Sequence, residues 1–162
     1  VQTLRRHTPL AIHGHRNGFG GMGRHPLLGM GVRAYQALYR LAGIDHMHVH
    51  GMGGKFSDLD EDVTDAALHC LSPMGAGDDR VMPVFSSGQW AGTLPHTLEQ
   101  VRSDDLMFLS GGGIMAHPGG PAAGLVSLRQ AHEAVVAGVP LAEHARAHPE
   151  LAQALATFGA KG

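Results

Sequence analysis

Residues 43–55, Gly-Ile-Asp-His-Met-His-Val-His-Gly-Met-Gly-Gly-Lys, decide the fold of this chain. Residues 45–49 predict a short buried strand, and the glycines that follow predict a loop directly after it. Acidic residues at positions 60–62 are typical of the first turn of a helix, which we expect to begin near Asp60. The stretch therefore predicts a strand, a glycine-rich loop and a helix in succession.

The same succession occurs three more times along the chain. Strands are predicted over residues 10–12, 81–85 and 106–109, and helices over residues 31–41, 94–101 and 122–137. Residues 141–158 predict one further helix, with Pro149 as the residue that could break it. Short apolar strands that alternate with single helices form parallel sheets covered by helices on the outer face. Because four strands leave two edges unpaired and a barrel of this type needs eight, we expect an α/β fold with half of a TIM barrel present.

Composition excludes several classes of protein. The 162 residues are 43% hydrophobic and 16% charged, which suits one folded domain and not a disordered segment. The net charge of −2 comes without a basic stripe, so nucleic acid is not an expected partner. No run of roughly 18 apolar residues and no secretory signal is present, so we expect no membrane partner and a cytoplasmic location. Cys70 has no second cysteine to pair with, and we interpret it as a packed thiol.

Two histidine-rich segments lie at predicted strand ends, where barrels of this class build their sites. In the segment His-Gly-His-Arg at positions 13–16, His15 can transfer a proton and Arg16 can bind an anion. The first histidine, His13, is expected to be a hydrogen-bonded core residue. Imidazoles alternate at positions 46–50, with His48 in the centre, and they could hydrogen-bond a phosphate or ligate a metal. The spacing leaves both readings open.

Glycine-rich segments follow the second, third and fourth strands. The loop over residues 51–56 could hinge over a ligand and bring Lys55 to it, although a solvated lysine fits the spacing equally well. The hydroxyl of Ser86 and the amide of Gly88 could meet phosphate oxygens, and a simple turn explains that segment nearly as well. Gly111 and Gly112 follow a strand directly, so their bare amides could form an anion-binding nest, but a glycine run alone is weak evidence.

Taken jointly, these segments resemble the second half of the RuBisCO large-subunit barrel, over nearly the whole chain. His-Gly-His-Arg at positions 13–16, Gly-Lys at 54–55 and Gly-Gly-Gly-Ile-Met-Ala-His-Pro at 111–118 match the family motifs His-x-His-Arg, the mobile-loop Gly-Lys and Gly-Gly-Gly-x-x-x-His-Pro. Gly-Ile-Asp-His-Met-His at 43–48 stands for the family's Gly-Gly-Asp-His-x-His, and Pro-Val-Phe-Ser-Ser-Gly at 83–88 stands where the family has Pro-Val-x-Ser-Gly-Gly. The resemblance implies the C-terminal half of a TIM (β/α)8 barrel, strands 5 to 8, followed by a C-terminal helix. It also implies that residues 1–162 are one partial domain of a longer protein, without the N-terminal domain and the first half of the barrel.

The resemblance further implies roles for individual residues. His15 would transfer a proton, and Lys55 would close over a developing negative charge. One phosphate subsite would consist of Arg16, His48 and Ser86, and a second of Gly88, Gly111 and Gly112. The cofactor would be Mg2+, and its ligands, a carbamylated lysine, an aspartate and a glutamate, would lie on an earlier strand, so we expect no metal ligand in this segment. The implied partners are a phosphorylated small-molecule substrate and further copies of the same protein, in a homodimer or a larger homo-oligomer.

Departures from the carboxylase pattern indicate a RuBisCO-like protein. The mobile loop lacks the threonine, the valines and the following glutamate of carboxylases, and Gln89-Trp90 replaces a histidine-bearing segment. The loop and residues 86–89 most resemble the branch that acts on 3-oxo-isoapionate 4-phosphate as a decarboxylase or a transcarboxylase/hydrolase.

Three alternatives remain open on the sequence alone. An enolase that acts on 2,3-diketo-5-methylthiopentyl 1-phosphate would use the same proton carrier and metal, and a ribulose-bisphosphate carboxylase is the second alternative. An alternative from another class is a barrel hydrolase that holds two metals through His13, His15, His46 and His48. In each case we expect the enzyme to be the full-length protein and the isolated segment to be inactive.

Overall fold

Four short strands form one parallel sheet in chain order, as the sequence predicts. The computed structural model describes residues 1–23, 25, 27–53, 58–75 and 77–159. The strands are β1 (His13–Gly14), β2 (His46–His50), β3 (Met82–Phe85) and β4 (Met107–Phe108). Within the described residues β1 and β4 are the edges of the sheet, as expected for half of a (β/α)8 barrel.

Helices follow each strand, and the predicted helices are confirmed with shifts of one or two residues at their ends. In chain order they are α1 (Gln2–Arg5), α2 (Phe19–Gly23), α3 (Val32–Leu41), α4 (Asp60–Leu71), α5 (Leu94–Val101), α6 (Gly112–Met115), α7 (Gly120–Ala137), α8 (Leu141–His144) and α9 (Pro149–Phe158). The predicted tail helix is two helices, because a 3-10 turn at Ala145–Ala147 separates α8 from α9. Pro149 begins α9, a position where its missing N–H leaves no helical hydrogen bond unmade.

The first strand lies further along the chain than the apolar residues 10–12 predict. Leu10 is 72% exposed, so the apolar run is not buried. The backbone N–H of Ile12 donates to the Asp45 carboxylate at 2.6 Å, and the Ile12 carbonyl accepts from the Asp45 amide at 2.9 Å. Because this carboxylate takes the N–H that a strand would use, the regular ladder begins only at His13, which pairs with His46.

The two faces of β2 differ in chemistry. Met47 and Val49 are fully buried and pack in the same core cluster as Val63 and Ala66 of α4. Since side chains alternate along a strand, His46 and His48 lie on the opposite face, which is the inner face of a barrel. A register shift against β3 follows His48, and His50 has a left-handed φ of 69°. The shift ends the alternation and turns the chain at His50.

A second core cluster joins the C-terminal helices to the end of the sheet. Leu94 of α5, Ala131 of α7 and Leu151 of α9 are buried there. Trp90 packs against Phe158 with ring centroids 5.5 Å apart, so the last helix contacts the loop after β3. Among the helices that the structure describes, none combines the length and the apolar character that crossing a bilayer requires.

Candidate active site

A polar cleft of about 450 Å³ opens at the carboxyl ends of β1, β2 and β3. Four of the predicted site residues line it together: His15, Arg16, His48 and Ser86. A somewhat larger cleft of about 530 Å³ lies between α5 and α7, but leucines and Phe108 dominate its lining. We place the chemistry in the polar cleft, because it holds the groups that can move protons and bind anions.

His48 is the centre of the polar groups in this cleft. Its Nδ1 lies 2.9 Å from the hydroxyl of Ser86, and its Nε2 lies 2.6 Å from Nε2 of His13. The ring of His15 is tilted against it, with centroids 4.4 Å apart. Burial, followed by the charges of His15 and His13, lowers the pKa of His48 to about 4. His48 is therefore neutral near pH 7, and its two nitrogens orient Ser86 and His13.

His13 of β1 and His15, directly after that strand, both place their rings against His48. The prediction of a core histidine at position 13 is half right, since His13 is hydrogen-bonded to His48 but its side chain is exposed. Partial desolvation and the charge of His46 lower the pKa of His13 below its usual value. His15 is also exposed and lines the cleft, so it is open to a ligand.

Arg16 is a buried cation at the mouth of β1. Its guanidinium carbon lies 4.7 Å from the centre of the Phe19 ring, and Nη2 lies 3.3 Å from the carboxylate of Asp58. Burial lowers the pKa of Arg16, and Asp58 partly offsets that effect. Among the described residues, the buried Nε–H of Arg16 has no hydrogen-bond partner. A buried guanidinium with spare donors is suited to receive an anionic group.

His50 is one of the three alternating imidazoles that the sequence predicts near the site, but no pattern in the sequence singles out Asp58. The His50 ring contacts the Asp58 carboxylate through Nδ1, so Asp58 is shared between His50 and Arg16. Burial and the charge of Arg16 lower the pKa of His50, and Asp58 opposes them. Only a general argument could have pointed to Asp58 from the sequence. A buried arginine requires a nearby carboxylate, and Asp58 follows the glycine-rich loop closely in the sequence.

The loop after β3 is held in a strained turn. Ser87 and Gly88 both have left-handed φ values, 72° and 78°, and Ser87 lines the cleft. Buried Gln89 donates to the carbonyls of Met52 at 3.1 Å and Ser87 at 3.2 Å. Gln89 therefore joins the loop after β3 to the loop after β2 and fixes the position of Ser86. Gly88, predicted to bind phosphate, does not line the cleft that contains His15.

The predicted nest of bare glycine amides after β4 lies at the start of a short helix, α6. Gly111 precedes α6, and its carbonyl accepts from the amides of Ile114 and Met115 at 3.2 and 2.9 Å. A Cβ at Gly111 or Gly112 would meet nothing within 4 Å, so the space beside both glycines is open. Gly113 is different, since a Cβ there would lie 2.5 Å from the Ser110 hydroxyl. Gly113 therefore allows close packing, whereas Gly111 and Gly112 lie beside open space. None of the three lines the polar cleft.

Lys55, the second predicted catalytic residue, lies outside the described residues. Its described neighbours on either side are Gly53 and Asp58. The amide of Gly53 donates to Asp60 at 2.8 Å, at the start of α4. Asp58 faces the cleft through its contacts with Arg16 and His50.

The donor set of the cleft fits an anion better than a metal ion. The nitrogens of His13 and His48 are 2.6 Å apart, whereas two ligands of one tetrahedral zinc would be about 3.4 Å apart at the usual bond lengths. Mg2+ takes oxygen ligands, and the carboxylate of this cleft that the structure describes, Asp58, already contacts two cationic or ionisable side chains. These residues therefore do not form a Mg2+ site.

Comparison with known proteins gives the family. The sequence profile of the ribulose bisphosphate carboxylase large chain, catalytic domain, matches residues 1–158. The 3-oxo-isoapionate-4-phosphate decarboxylase of Rhizobium etli is 42% identical over 96% of this chain and 37% of that protein. The 3-oxo-isoapionate-4-phosphate transcarboxylase/hydrolase of Xanthobacter autotrophicus is 45% identical over 96% of this chain and 38% of that protein.

A solved structure agrees with the sequence matches. The crystal structure of a rubisco-like protein from Burkholderia fungorum superposes with a TM-score of 0.93 at 59% identity, over 97% of this chain and 39% of that chain. The chain spans 37% to 38% of the length of the two curated relatives named above. The profile match, these identities and the parallel half-barrel lead to one conclusion: the chain belongs to the ribulose bisphosphate carboxylase large-chain family, in its RuBisCO-like branch.

Proposed function

We propose that this chain supplies the anion-binding and proton-transfer half of an enzyme active site for a phosphorylated sugar acid of the 3-oxo-isoapionate 4-phosphate type. The observation that carries the proposal is the convergence of His15, Arg16, His48 and Ser86 on one cleft at three successive strand ends. The names of the two curated relatives support the substrate class. The whole reaction would belong to the full-length protein, because the chain spans 37% to 38% of those relatives.

One phosphate subsite would consist of Arg16, Ser86 and His48. Arg16 supplies the positive charge and has a buried N–H without a partner among the described residues. Ser86 supplies a hydroxyl, whose direction the neutral His48 ring fixes. An incoming phosphate would compete with Asp58 for the guanidinium, and a dianion in a partly buried site is the stronger partner. The second anionic group would lie toward Gly88, Gly111 and Gly112.

His15 would be the proton carrier, as an exposed imidazole beside the phosphate subsite. In a decarboxylation of a 3-oxo acid, the bond to the carboxylate breaks, CO2 leaves, and the bonding electrons form an enolate with the ketone. The carbon is then protonated, a step that His15 can perform from the cleft. Lys55 would stabilise the negative charge of the enolate.

The cofactor implied by the family, Mg2+, would be held by residues that precede Val1 in the full-length protein. When bound, it would stabilise the charge on the enolate oxygens. We also propose that residues 1–162 form one partial domain that shows no turnover alone and that the full-length protein is a homo-oligomer. The archaeal Rubisco of Hyperthermus butylicus, 33% identical to this chain, is dimeric, which supports the second statement.

Ligand binding to the full-length protein tests the phosphate subsite. Arg16→Gln removes charge-assisted hydrogen bonds of roughly 1.5–3 kcal/mol, so it should weaken binding of 3-oxo-isoapionate 4-phosphate about 10- to 100-fold and leave the dephosphorylated acid little affected. The matched control is Arg33→Gln, because Arg33 is exposed on α3 and pairs with Asp65. Calorimetric titration measures both. Equal losses for the two ligands, or an equal loss in the control, would refute the assignment.

Product analysis of the full-length enzyme tests the reaction. A decarboxylase releases one CO2 for each 3-oxo-isoapionate 4-phosphate consumed, which trapped CO2 measures directly. His15→Asn should reduce turnover with little change in substrate affinity, because proton transfer occurs after binding. Turnover by isolated residues 1–162 would contradict the proposal that the segment is inactive alone.

A further inference from the structure

A second group of metal-binding side chains lies among the C-terminal helices. Glu133 is on α7, His144 is the last residue of α8, and His148 immediately precedes α9. One ligand atom from each of the three lies within 4.8 Å of the others. None of them lines the polar cleft, so the proposed function does not use them.

The hydrogen bond of His148 determines which of its nitrogens is available. Its Nδ1 lies 2.7 Å from the backbone carbonyl of His144, and a carbonyl only accepts hydrogen bonds. Nδ1 must therefore carry the proton, and in the neutral ring Nε2 carries the lone pair. Metal-binding histidines commonly hold their second nitrogen against a backbone carbonyl in this way.

The second histidine has a buried nitrogen that lacks a partner. Nε2 of His144 is buried, and no hydrogen-bond partner is found for it among the described residues. Buried polar atoms without partners are rare, and each one requires an explanation. The rings of His144 and His148 are stacked with centroids 3.8 Å apart and planes 12° apart, so the two imidazoles lie face to face.

Glu133 adds a carboxylate from a different helix. Its side chain is about half exposed and lies 3.4 Å from Arg129 one turn earlier on α7. Such surface ion pairs are weak, so the carboxylate can turn from Arg129 toward a cation beside the histidines. The cluster thus combines two imidazole rings with one carboxylate group.

We propose that Glu133, His144 and His148 form a binding site for a transition-metal ion of the Zn2+ class, with water as the remaining ligand. Imidazole and carboxylate donors suit Zn2+, whereas Mg2+ takes oxygen ligands. Ligand atoms of a tetrahedral Zn2+ lie about 3.4 Å apart, so the side chains must approach one another by at most about 1.4 Å. The bound ion would join α7 to the turn between α8 and α9. This site is separate from the Mg2+ that the family implies.

Zinc titration of the metal-free, full-length protein tests the proposal, with a chromophoric chelator as competitor. The double variant His144→Gln/His148→Gln should bind one equivalent fewer than the wild type, and histidines of the polar cleft contribute equally to both. Glu133→Gln should weaken this site at least about 10-fold, the smallest loss seen for a supporting group. His132→Gln is the matched control, since His132 is an exposed histidine next to Glu133 and is not in the cluster.

X-ray absorption at the zinc edge gives an independent readout. We expect two imidazole nitrogens and oxygen ligands in the wild type, and loss of the imidazole signal of this site in the double variant. If the double variant does not fold, Glu133→Gln decides, because Glu133 is exposed and its change leaves the packing intact. Unchanged stoichiometry and affinity in the variants, or the same loss in His132→Gln, would overturn the proposal.

Discussion

Gly51 stands where two loops of the active-site edge meet, and its replacement by alanine tests how the cleft is held. A Cβ at Gly51 would lie 1.9 Å from Nε2 of Gln89, 2.4 Å from its Cδ and 2.6 Å from the Ser86 carbonyl oxygen. Gly51 does not have a positive φ, so the backbone itself accepts alanine. The cost of Gly51→Ala is therefore steric.

The magnitude follows from the bonds that Gln89 must give up. To avoid the new methyl group, its amide has to leave the carbonyls of Met52 and Ser87, in a side chain that is 1% exposed. Overpacking costs roughly 1–3 kcal/mol, and a buried polar group left unpaired costs about as much again. We therefore expect Gly51→Ala to lower the free energy of unfolding by roughly 2–6 kcal/mol. Because Ser86 moves with this loop, phosphate-ligand binding should weaken as well.

Denaturant unfolding and hydrogen exchange of the full-length protein measure this effect. Gly31→Ala is the control, since a Cβ at Gly31 meets nothing within 4 Å, and its change should stay within about 0.5 kcal/mol. In a Gln89→Ala background the two shortest contacts of the new Cβ are absent, so Gly51→Ala should cost less there. If Gly51→Ala costs no more than Gly31→Ala, or costs the same in both backgrounds, Gln89 does not hold the loops together.

Two further predictions concern titration and reactivity. The pKa of His48 is about 4 in the folded chain, against the ordinary value of 6.5 that it has in the unfolded chain. As the pH falls, the unfolded state therefore takes up the proton first. The stability that neutral His48 contributes is complete above pH 6.5 and is lost as the pH falls toward 4. His48→Gln should flatten this part of a plot of unfolding midpoint against pH, and an unchanged slope would contradict the assignment. Burial raises the pKa of Cys70 to about 12 and the side chain is 0% exposed, so a thiol reagent should label it only at the rate of unfolding; rapid labelling of the native protein at Cys70, located by peptide mapping, would show that its pocket opens.

Local patterns account for the parts of the fold and the site that the sequence predicts. Apolar runs, glycines and acidic first turns report on neighbouring residues, so they located the second, third and fourth strands and the main helices to within a few residues. Arg16, His48 and Ser86 were expected to lie together because the carboxyl ends of parallel strands meet at one edge of a sheet, and they line one cleft. Gly88, expected at the second subsite, is not among the residues that line this cleft, and its role stays a prediction.

Contacts between distant residues were decided only by the tertiary structure. The sequence by itself determined four strand–loop–helix units and put histidine, arginine and serine at three adjoining strand ends. The register shift after His48, the sharing of Asp58 between Arg16 and His50, and the exposed position of His13 depend on how strands and loops pack. The physical reason is range: hydrophobic periodicity and turn chemistry act over a few residues, whereas the partner of a buried charge is whichever group the assembled sheet brings within about 4 Å.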